Sequence, residues 1–362
     1  MESSPSIMNG PANRLVSGPA TEAGLLKKIF GTRLDGPVDL TLILIGACFF
    51  LPAILSEAGI SNLAYCLVWT FAAIGLSAMW GYGGILSFGQ TAFFGLAGYA
   101  YGIFTINLGE SPAATWGGVL TGLLLCVALA ALLGYMIFYG GIKEVFIGIV
   151  TLSVTLVLET FMAQTAGPQW AIGSARLNGF NGMSAMPSLV LPSFTAEPIL
   201  LEGTNFYFLV LAMLAGVYFI TRKLLNSSFG LTLESIRENP HRAEMLGIDI
   251  RRYQLAIFVF GSTLGGLSGI LYTVWGSYIT PSSMGLTAAA MPIIWVATGG
   301  RKSLSGVIIA TVALLNLSQE LAAYGSQYAL VLMGVILLFV VMATPQGLIP
   351  TVREQLGKLF GR

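Results

Sequence analysis

The sequence predicts an all-α, polytopic integral membrane protein of about ten transmembrane helices, with two segments interrupted by Gly and Pro. Three observations lead to this class. Of 362 residues, 55% are hydrophobic and 9% are charged, against about 25% charged in an ordinary soluble domain. The 17 basic and 16 acidic side chains are too few to coat a soluble core of this size. The apolar residues fall in long runs without strict alternation. Lipid offers the backbone no hydrogen-bonding partner, so such runs choose helices over a closed barrel.

A crossing needs about 20 mainly apolar residues, since a helix rises about 1.5 Å per residue through a hydrocarbon core about 30 Å thick. Segments near 38–56, 60–80, 91–107, 115–138, 145–166, 204–221, 253–275, 285–298, 303–323 and 326–343 meet that need. The third and eighth are short, and either could re-enter rather than span, lowering the count to eight or nine. Residues 1–37 are expected to form a cytoplasmic tail, because apolar sequence begins only near Val38 and the stretch before it carries Lys27, Lys28 and Arg33. Residues 38–350 form the membrane domain, with a long polar connection at 223–252, and 351–362 a cytoplasmic C-terminal tail.

One alternating path with the N-terminus inside gathers the basic residues on one side, as the positive-inside tendency requires. The tail, Lys143, the basic residues from Arg222 to Arg252, Arg301 with Lys302, and Arg353, Lys358 and Arg362 all fall inside, leaving Arg176 outside. This asymmetry favours ten spans with both termini cytoplasmic.

Three segments depart from plain helices. The run WGYGGILSFGQTAFFGLAGYAYG, residues 80–102, mixes glycines with Ser87, Gln90 and Thr91 at membrane depth. The run GSYITPSSMGLTAAAMP, 276–292, occupies a comparable place in the second half. Unwound backbone at that depth persists only where protein or a water-filled cavity satisfies it, and paired interruptions point to a transport pathway. Small residues that let helices approach closely produce the same glycine pattern, so packing is the competing reading. The connection 223–252 is too polar for lipid. Between Leu231 and Gly247 it reads as a short amphipathic helix or helix pair, with Pro240 starting a second turn and Gly247 as C-cap. A solvated loop is the plain alternative.

Several chemistries are excluded. There is no G-x-x-x-x-G-K-[ST] run, so the chain cannot cradle a nucleotide in the phosphate-loop manner. Cys48, Cys66 and Cys126 sit in apolar runs without metal-ligand spacing, and the sole histidine, His241, lies in the polar connection, so no metal site is expected. A net charge of +1 with no basic block makes membrane lipid the expected environment and excludes nucleic acid as a partner. A membrane-embedded enzyme would need clustered His, Cys or Asp that the spans lack, so the chain is not read as an enzyme. Two acids, Glu159 and Glu320, remain inside spans, where a carboxylate is a functional candidate unless it reaches water at the boundary. Phe93, Phe94, Tyr99 and Tyr101 either line a pore or pack between helices. Ser87, Gln90, Thr91, Phe93, Phe94, Glu159 and Glu320 are thus the candidate pathway residues.

Three runs resemble one family. GYGGILSFGQTAFFGLAGYAYG resembles the pattern G-x-x-G-x-x-S-x-G-H/Q-x-x-F-x-x-x-G-A-Y of branched-chain amino acid type ABC transporter permeases, which include related urea and amide permeases. SIRENPHRAEMLG, Ser235 to Gly247, resembles the family's A-I-R-E-N-x-x-x-A-x-x-x-G coupling segment. PIIWVATGGRKSLSG, Pro292 to Gly306, is similar to its V-x-x-G-G-x-G-T-x-x-G-P stretch. The likeness covers roughly residues 38–350. Gln90 stands where His is commoner, Ser235 where Ala is expected, and Lys302, Ser303 and Val307 replace Gly, Thr and Pro.

The resemblance implies a permease subunit of an ATP-driven importer in a bacterial inner membrane. Its implied partners are a second homologous permease, two cytoplasmic ATPase subunits that carry ATP and Mg, and an extracytoplasmic substrate-binding protein, with no cofactor on this chain. It further implies that Ser235, Ile236, Arg237, Glu238, Asn239, Arg242, Leu246 and Gly247 seat in a cleft of the ATPase. Arg237 and Glu238 would make charge-assisted contacts there, with Ile236 and Leu246 as anchors. The scarcity of charge along the pathway suits a small neutral or zwitterionic solute. The resemblance adds branched-chain or other neutral amino acids as cargo, with urea or a short amide as the alternative. An ion-coupled secondary transporter would also explain ten spans and two interruptions, but it would want intramembrane ion ligands and has no need of the amphipathic connection.

Overall fold

The computed structural model describes residues 46, 48–142, 144–191, 199–322, 325–343, 347 and 351, all within the unit Leu34–Arg362. Eleven helices lie among them: α1 (Glu57–Ser77), α2 (Gln90–Leu108), α3 (Pro112–Tyr139), α4 (Glu144–Ala163), α5 (Gly203–Asn226), α6 (Ser228–Glu238), α7 (Pro240–Met245), α8 (Ile250–Gly276), α9 (Leu286–Gly299), α10 (Leu304–Ala322) and α11 (Ser326–Ala343). Nine fall on expected spans, and α6 with α7 form the helix pair expected in the polar connection. Of the expected span 38–56, residues 38–45 and 47 lie outside the described residues; residues 46 and 48–50 are helical and Leu51–Ala53 form a 3-10 turn. The N-terminal tail, Lys143 and the tail from residue 352 onward also lie outside the described residues.

Seven helices among the described residues are long and apolar enough to cross a membrane: α1 with its continuation to Tyr82, α2, α3, α4, α5, α8 and α10. The mostly helical, polytopic membrane class is therefore observed. The doubt over the two short segments divides. Helix α2 has 19 residues, about 28 Å, whereas α9 has 14, about 21 Å, and falls short of the hydrocarbon thickness.

Local sequence sets the helix ends. Ser56 and Ser111 cap α1 and α3 by accepting from the amides of Gly59 and Ala114 at 3.3 and 3.2 Å. Pro112 opens α3, where its missing N–H costs nothing. Asp249 accepts from the Arg252 amide at 3.3 Å to start α8.

Helices α1, α2 and α8 form the centre, and α3, α4 and α5 the periphery: 83% of the most apolar window of α1 is buried, against 22% for α4. Close backbone approach makes this centre possible. A β-carbon on Gly269 of α8 would stand 1.9 Å from the Phe94 carbonyl oxygen of α2, and one on Gly75 of α1 would stand 2.4 Å from the Gly261 carbonyl oxygen of α8. Much of the glycine pattern is therefore helix packing.

Both interruptions exist and are narrower than the sequence pattern implied. Helix α1 runs into a π-helical turn, Ala78–Tyr82, and regular structure resumes only at Gln90. Residues 90–102 are continuous helix. The second break runs from Ser277, at φ 53°, to Gly285. One feature absent from the all-α expectation is a set of six short strands: β1 (Ala171–Ile172), β2 (Ala175–Arg176), β3 (Met183–Ser184), β4 (Leu189–Leu191), β5 (Ile199–Leu201) and β6 (Tyr278–Ile279). They pair antiparallel as β1–β2, β3–β6 and β4–β5. The β3–β6 pair ties the connection after α4 to the second break, a long-range link that no local pattern announces.

Replacing Gly269 with Ala is expected to lower stability by about 1–3 kcal/mol or more, because the new carbon meets backbone that cannot move aside. Gly216→Ala, in α5, meets nothing within 4 Å and is expected to be neutral or slightly stabilising. Thermal unfolding of the two variants in detergent compares them.

Candidate functional site

The three sequence runs meet at one end of the bundle, here termed the basic end. The π-helical turn after α1 leaves backbone carbonyls outside the regular helical ladder. Arg237 of α6 supplies a donor: its guanidinium bonds the Gly81 carbonyl and pairs with the neighbouring Glu238. The stem of Arg237 lies against Gly84, whose φ of 71° and whose lack of a β-carbon admit it; an added carbon would stand 2.8 Å from Arg237 Cγ. The same end of α1 is bound to the turn between α9 and α10. Ser77 Oγ donates to the Arg301 carbonyl at 2.9 Å, Tyr82 Oη donates to the Lys302 carbonyl at 2.9 Å, and the Arg301 guanidinium lies 5.2 Å from the centre of the Trp80 ring. Lys302 Nζ then closes the circuit with Glu234 of α6 at 2.9 Å.

Helix α6 is thereby clamped to two helix ends. Leu233 and Ile236 face inward, Ile236 being 1% exposed. Ile236 and the Arg237 guanidinium are thus engaged inside this chain, so the expected partner-facing set divides. Ser235 donates to the Thr232 carbonyl at 2.7 Å. Asn239 caps α7 by accepting from the Arg242 amide at 2.9 Å, with Pro240 at the first helical position. Gly247, at φ 79°, ends α7, as its left-handed conformation favours. Facing outward are Glu238, His241, Arg242, Glu244, Met245 and Leu246, with Met245 74% and Leu246 75% exposed. Arg237 holds the Glu238 carboxyl below the ordinary carboxylate range, through its hydrogen bond and then its charge. That contribution is present above the ordinary carboxylate pKa and is lost as pH falls through the depressed value.

The pathway candidates also separate. Ser87 is buried and accepts from the Gly89 amide at 3.0 Å. Phe93 packs edge-on to Phe258, and Phe94 stacks on Trp69 with centroids 4.4 Å apart, so both belong to the core. Tyr101 is likewise buried and donates to the Pro187 carbonyl at 2.8 Å. Gln90 and Thr91 differ: both are buried, and the Gln90 carboxamide and the Thr91 hydroxyl find no partner among the described residues. Glu159 is half-buried on α4 against Gly285, and Glu320 is exposed two residues from the end of α10. The structure therefore brings Glu159 to the second break and leaves Glu320 apart from both breaks. Sequence reasoning missed Gly81, Ser77, Tyr82 and the Glu234–Lys302 pair. Gly81 and Tyr82 open the first quoted run and Lys302 is a substitution within the third, but nothing in either run marks these contacts.

Residues 60–341 match a family described as the branched-chain amino acid transport system permease component. The chain is 24% identical to the high-affinity branched-chain amino acid transport system permease protein LivM of Escherichia coli K12, over 94% of this chain and 80% of that protein. It is 26% identical to a probable branched-chain amino acid transport permease protein LivM of Methanocaldococcus jannaschii, over 81% and 86%. A probable LivH permease of the same organism is 25% identical over 47% of this chain and 51% of its own length. No solved structure matches.

Arg237→Ala leaves the Gly81 carbonyl without its side-chain donor and is expected to cost about 1–3 kcal/mol, with Arg237→Lys recovering part of the loss. Lys302→Ala breaks only a partly exposed pair and is expected to cost under about 1 kcal/mol. Thermal unfolding of the detergent-solubilised variants tests the order.

Proposed function

This chain belongs to the branched-chain amino acid transport system permease family, and on that premise we propose that it is one of two homologous membrane subunits of an ATP-driven importer of branched-chain or other neutral amino acids. It is a transport permease rather than an enzyme. The partners in this reading are a second permease, two ATPase subunits that hold ATP and Mg, and an external binding protein that delivers the solute. Similarity to both LivM and LivH relatives supports the paired permease. The names of the relatives that cover most of this chain favour branched-chain amino acids over urea or short amides. The family's description as a permease component favours a multi-part machine over a self-sufficient ion-coupled carrier.

The observation that carries the coupling role is the clamp on α6 beside the exposed tip of α7. In this reading the basic end faces the cytoplasm of a bacterial inner membrane, as its Arg and Lys content favours. Met245 and Leu246, flanked by Arg242 and Glu244, offer apolar anchors with charged neighbours, the composition of an interface centre and rim. An ATPase that grips α7 displaces α6. The Arg237–Gly81 and Glu234–Lys302 links then carry that displacement to the end of α1 and to the α9–α10 turn. The end of α1 borders the first break, and the α9–α10 turn lies at the opposite end of α9 from the second, so in this reading a push at the basic end reaches one helix flanking each break.

Leucine uptake by the wild-type chain, reconstituted with its partner subunits, tests the cargo. Met245→Asp with Leu246→Asp tests the coupling tip. Each lost anchor is expected to cost about 2 kcal/mol, roughly thirtyfold in affinity for the ATPase, with matching loss of co-purification and uptake. Unchanged co-purification removes the assignment.

A further inference from the structure

Helices α3 and α4 each pack against α2 and scarcely against each other, and the gap between them holds a cavity of about 530 Å³, the size of a small-molecule site. Its walls are apolar: Leu96, Ile103 and Phe104 come from α2, Leu125 from α3 and Phe161 from α4. Thr121 also lines the α3 wall, but its hydroxyl is spent on the Gly117 carbonyl at 2.8 Å. The Tyr99 hydroxyl is itself buried and so is not presented to the cavity. Leu96 lies about 18 Å along α2 from Leu108, and Leu125 about 20 Å along α3 from Pro112. The cavity therefore runs from the helix ends through about one hydrocarbon leaflet, roughly 15 Å deep. At the end of α2 remote from the basic end it is roofed by the β1–β2 hairpin, through Trp170, Ala171 and Ile172. That roof is fastened. Asn107 donates to the Ile172 carbonyl at 2.8 Å and accepts from the Ser174 amide at 2.8 Å, while Trp170 packs edge-on to Phe161. The hairpin also carries Arg176, the one basic residue that the sequence leaves outside. Arg176 is exposed and stands opposite Ala171 in the ladder, which puts their β-carbons about 5 Å apart on one face. Among the described residues no carboxylate pairs with it.

We propose that this cavity is a binding site for an anionic phospholipid, with one acyl chain between α3 and α4 and the phosphate on Arg176. Water gains little against apolar walls, and an empty cavity forfeits the dispersion contacts of its lining. Helices α3 and α4 are the least buried of the seven candidate spans, and Leu125 and Phe161 on the two lips are exposed, so the gap opens toward lipid. Lipid tails are as apolar as these walls, so the acyl chain by itself contributes little selectivity. The charge supplies it. An arginine fork matches a phosphate bidentately, and Trp170 beside it is the residue type that settles at the headgroup level. The site is independent of which solute the permease carries.

The test is native mass spectrometry of the delipidated transporter, assembled with its partner subunits in detergent. It is titrated with dioleoylphosphatidylglycerol or with dioleoylphosphatidylethanolamine, which has the same chains and phosphate but an ammonium that neutralises it. The wild type is expected to hold one lipid tightly per copy of this chain, phosphatidylglycerol about fivefold more tightly than phosphatidylethanolamine, the scale of one arginine beside anionic lipid. In Arg176→Gln the two lipids are expected to converge within about twofold. Thr121→Trp fills the cavity, leaves the charge in place and is expected to remove that lipid altogether. If Thr121→Trp does not assemble, quenching of Trp170 fluorescence by phosphatidylglycerol with brominated chains, taken as the wild-type signal minus that of Trp170→Phe, reads the acyl chain directly. Unchanged selectivity in Arg176→Gln, an unchanged lipid count in Thr121→Trp, or no quenching of Trp170 overturns the inference. Displacement of the lipid by glycerol 3-phosphate, a headgroup without chains, would make Arg176 a site for soluble anions and overturn it. Loss of the second permease from the Thr121→Trp complex without loss of lipid would assign the cavity to a protein segment and likewise overturn it.

Discussion

Backbone that leaves helical geometry at membrane depth must find its hydrogen bonds inside the protein, and the architecture around residues 78–89 is organised by that demand. The Ile85 amide reaches back to the Met79 carbonyl at 3.1 Å, and the Gly89 amide takes the Ser87 hydroxyl. Phe88 is served at both ends by α4: its amide donates to Thr151 Oγ1 at 3.1 Å, and its carbonyl accepts from Thr155 Oγ1 at 3.2 Å. The Gly81 carbonyl is served by Arg237 of α6. The break is therefore held by elements remote in sequence.

That dependence joins local irregularity to long-range mechanics. A regular helix satisfies its own backbone and can shift as a rod without breaking bonds to its neighbours. The segment after α1 cannot, because its partners sit on α4 and α6, while hydroxyls from its own side chains reach the α9–α10 turn. Motion of any one of these elements must either carry the segment along or exchange its bonds. The second break is built the same way by different means, with β6 borrowing ladder bonds from β3 and Glu159 resting against Gly285. Two breaks near the two ends of the bundle, each fastened to distant elements, give the fold places where it can rearrange while the glycine-packed centre of α1, α2 and α8 stays rigid.

Much of the fold was legible because membrane insertion is read from composition over windows of about 20 residues. The helix pair after α5 was legible for a related reason: Pro240 and Gly247 encode a start and a stop locally, whatever surrounds them. The short strands were not, since two- and three-residue pairs such as Met183–Ser184 with Tyr278–Ile279 carry no period. The site was legible as a set of motifs but not as an arrangement. The resemblance placed Ile236 and Arg237 against an ATPase, yet Ile236 is buried within this chain and Arg237 is engaged with the carbonyl at position 81.

Composition and spacing alone determined the solvent of this chain, the helical class, the positions of nine of its helices, and the presence of two breaks and a polar helix pair. These follow from short-range rules, the rise of a helix, the cost of unpaired backbone in lipid and the caps of helix ends. Tertiary structure decided which glycines pack and which bend, that Phe93 and Phe94 are core while Gln90 and Thr91 find no polar partner among the described residues, and which face of the helix pair turns outward. It also decided that Glu159 meets Gly285. Such contacts depend on where distant segments are brought together in space, and side chains more than a hundred residues apart share no local pattern that could record it.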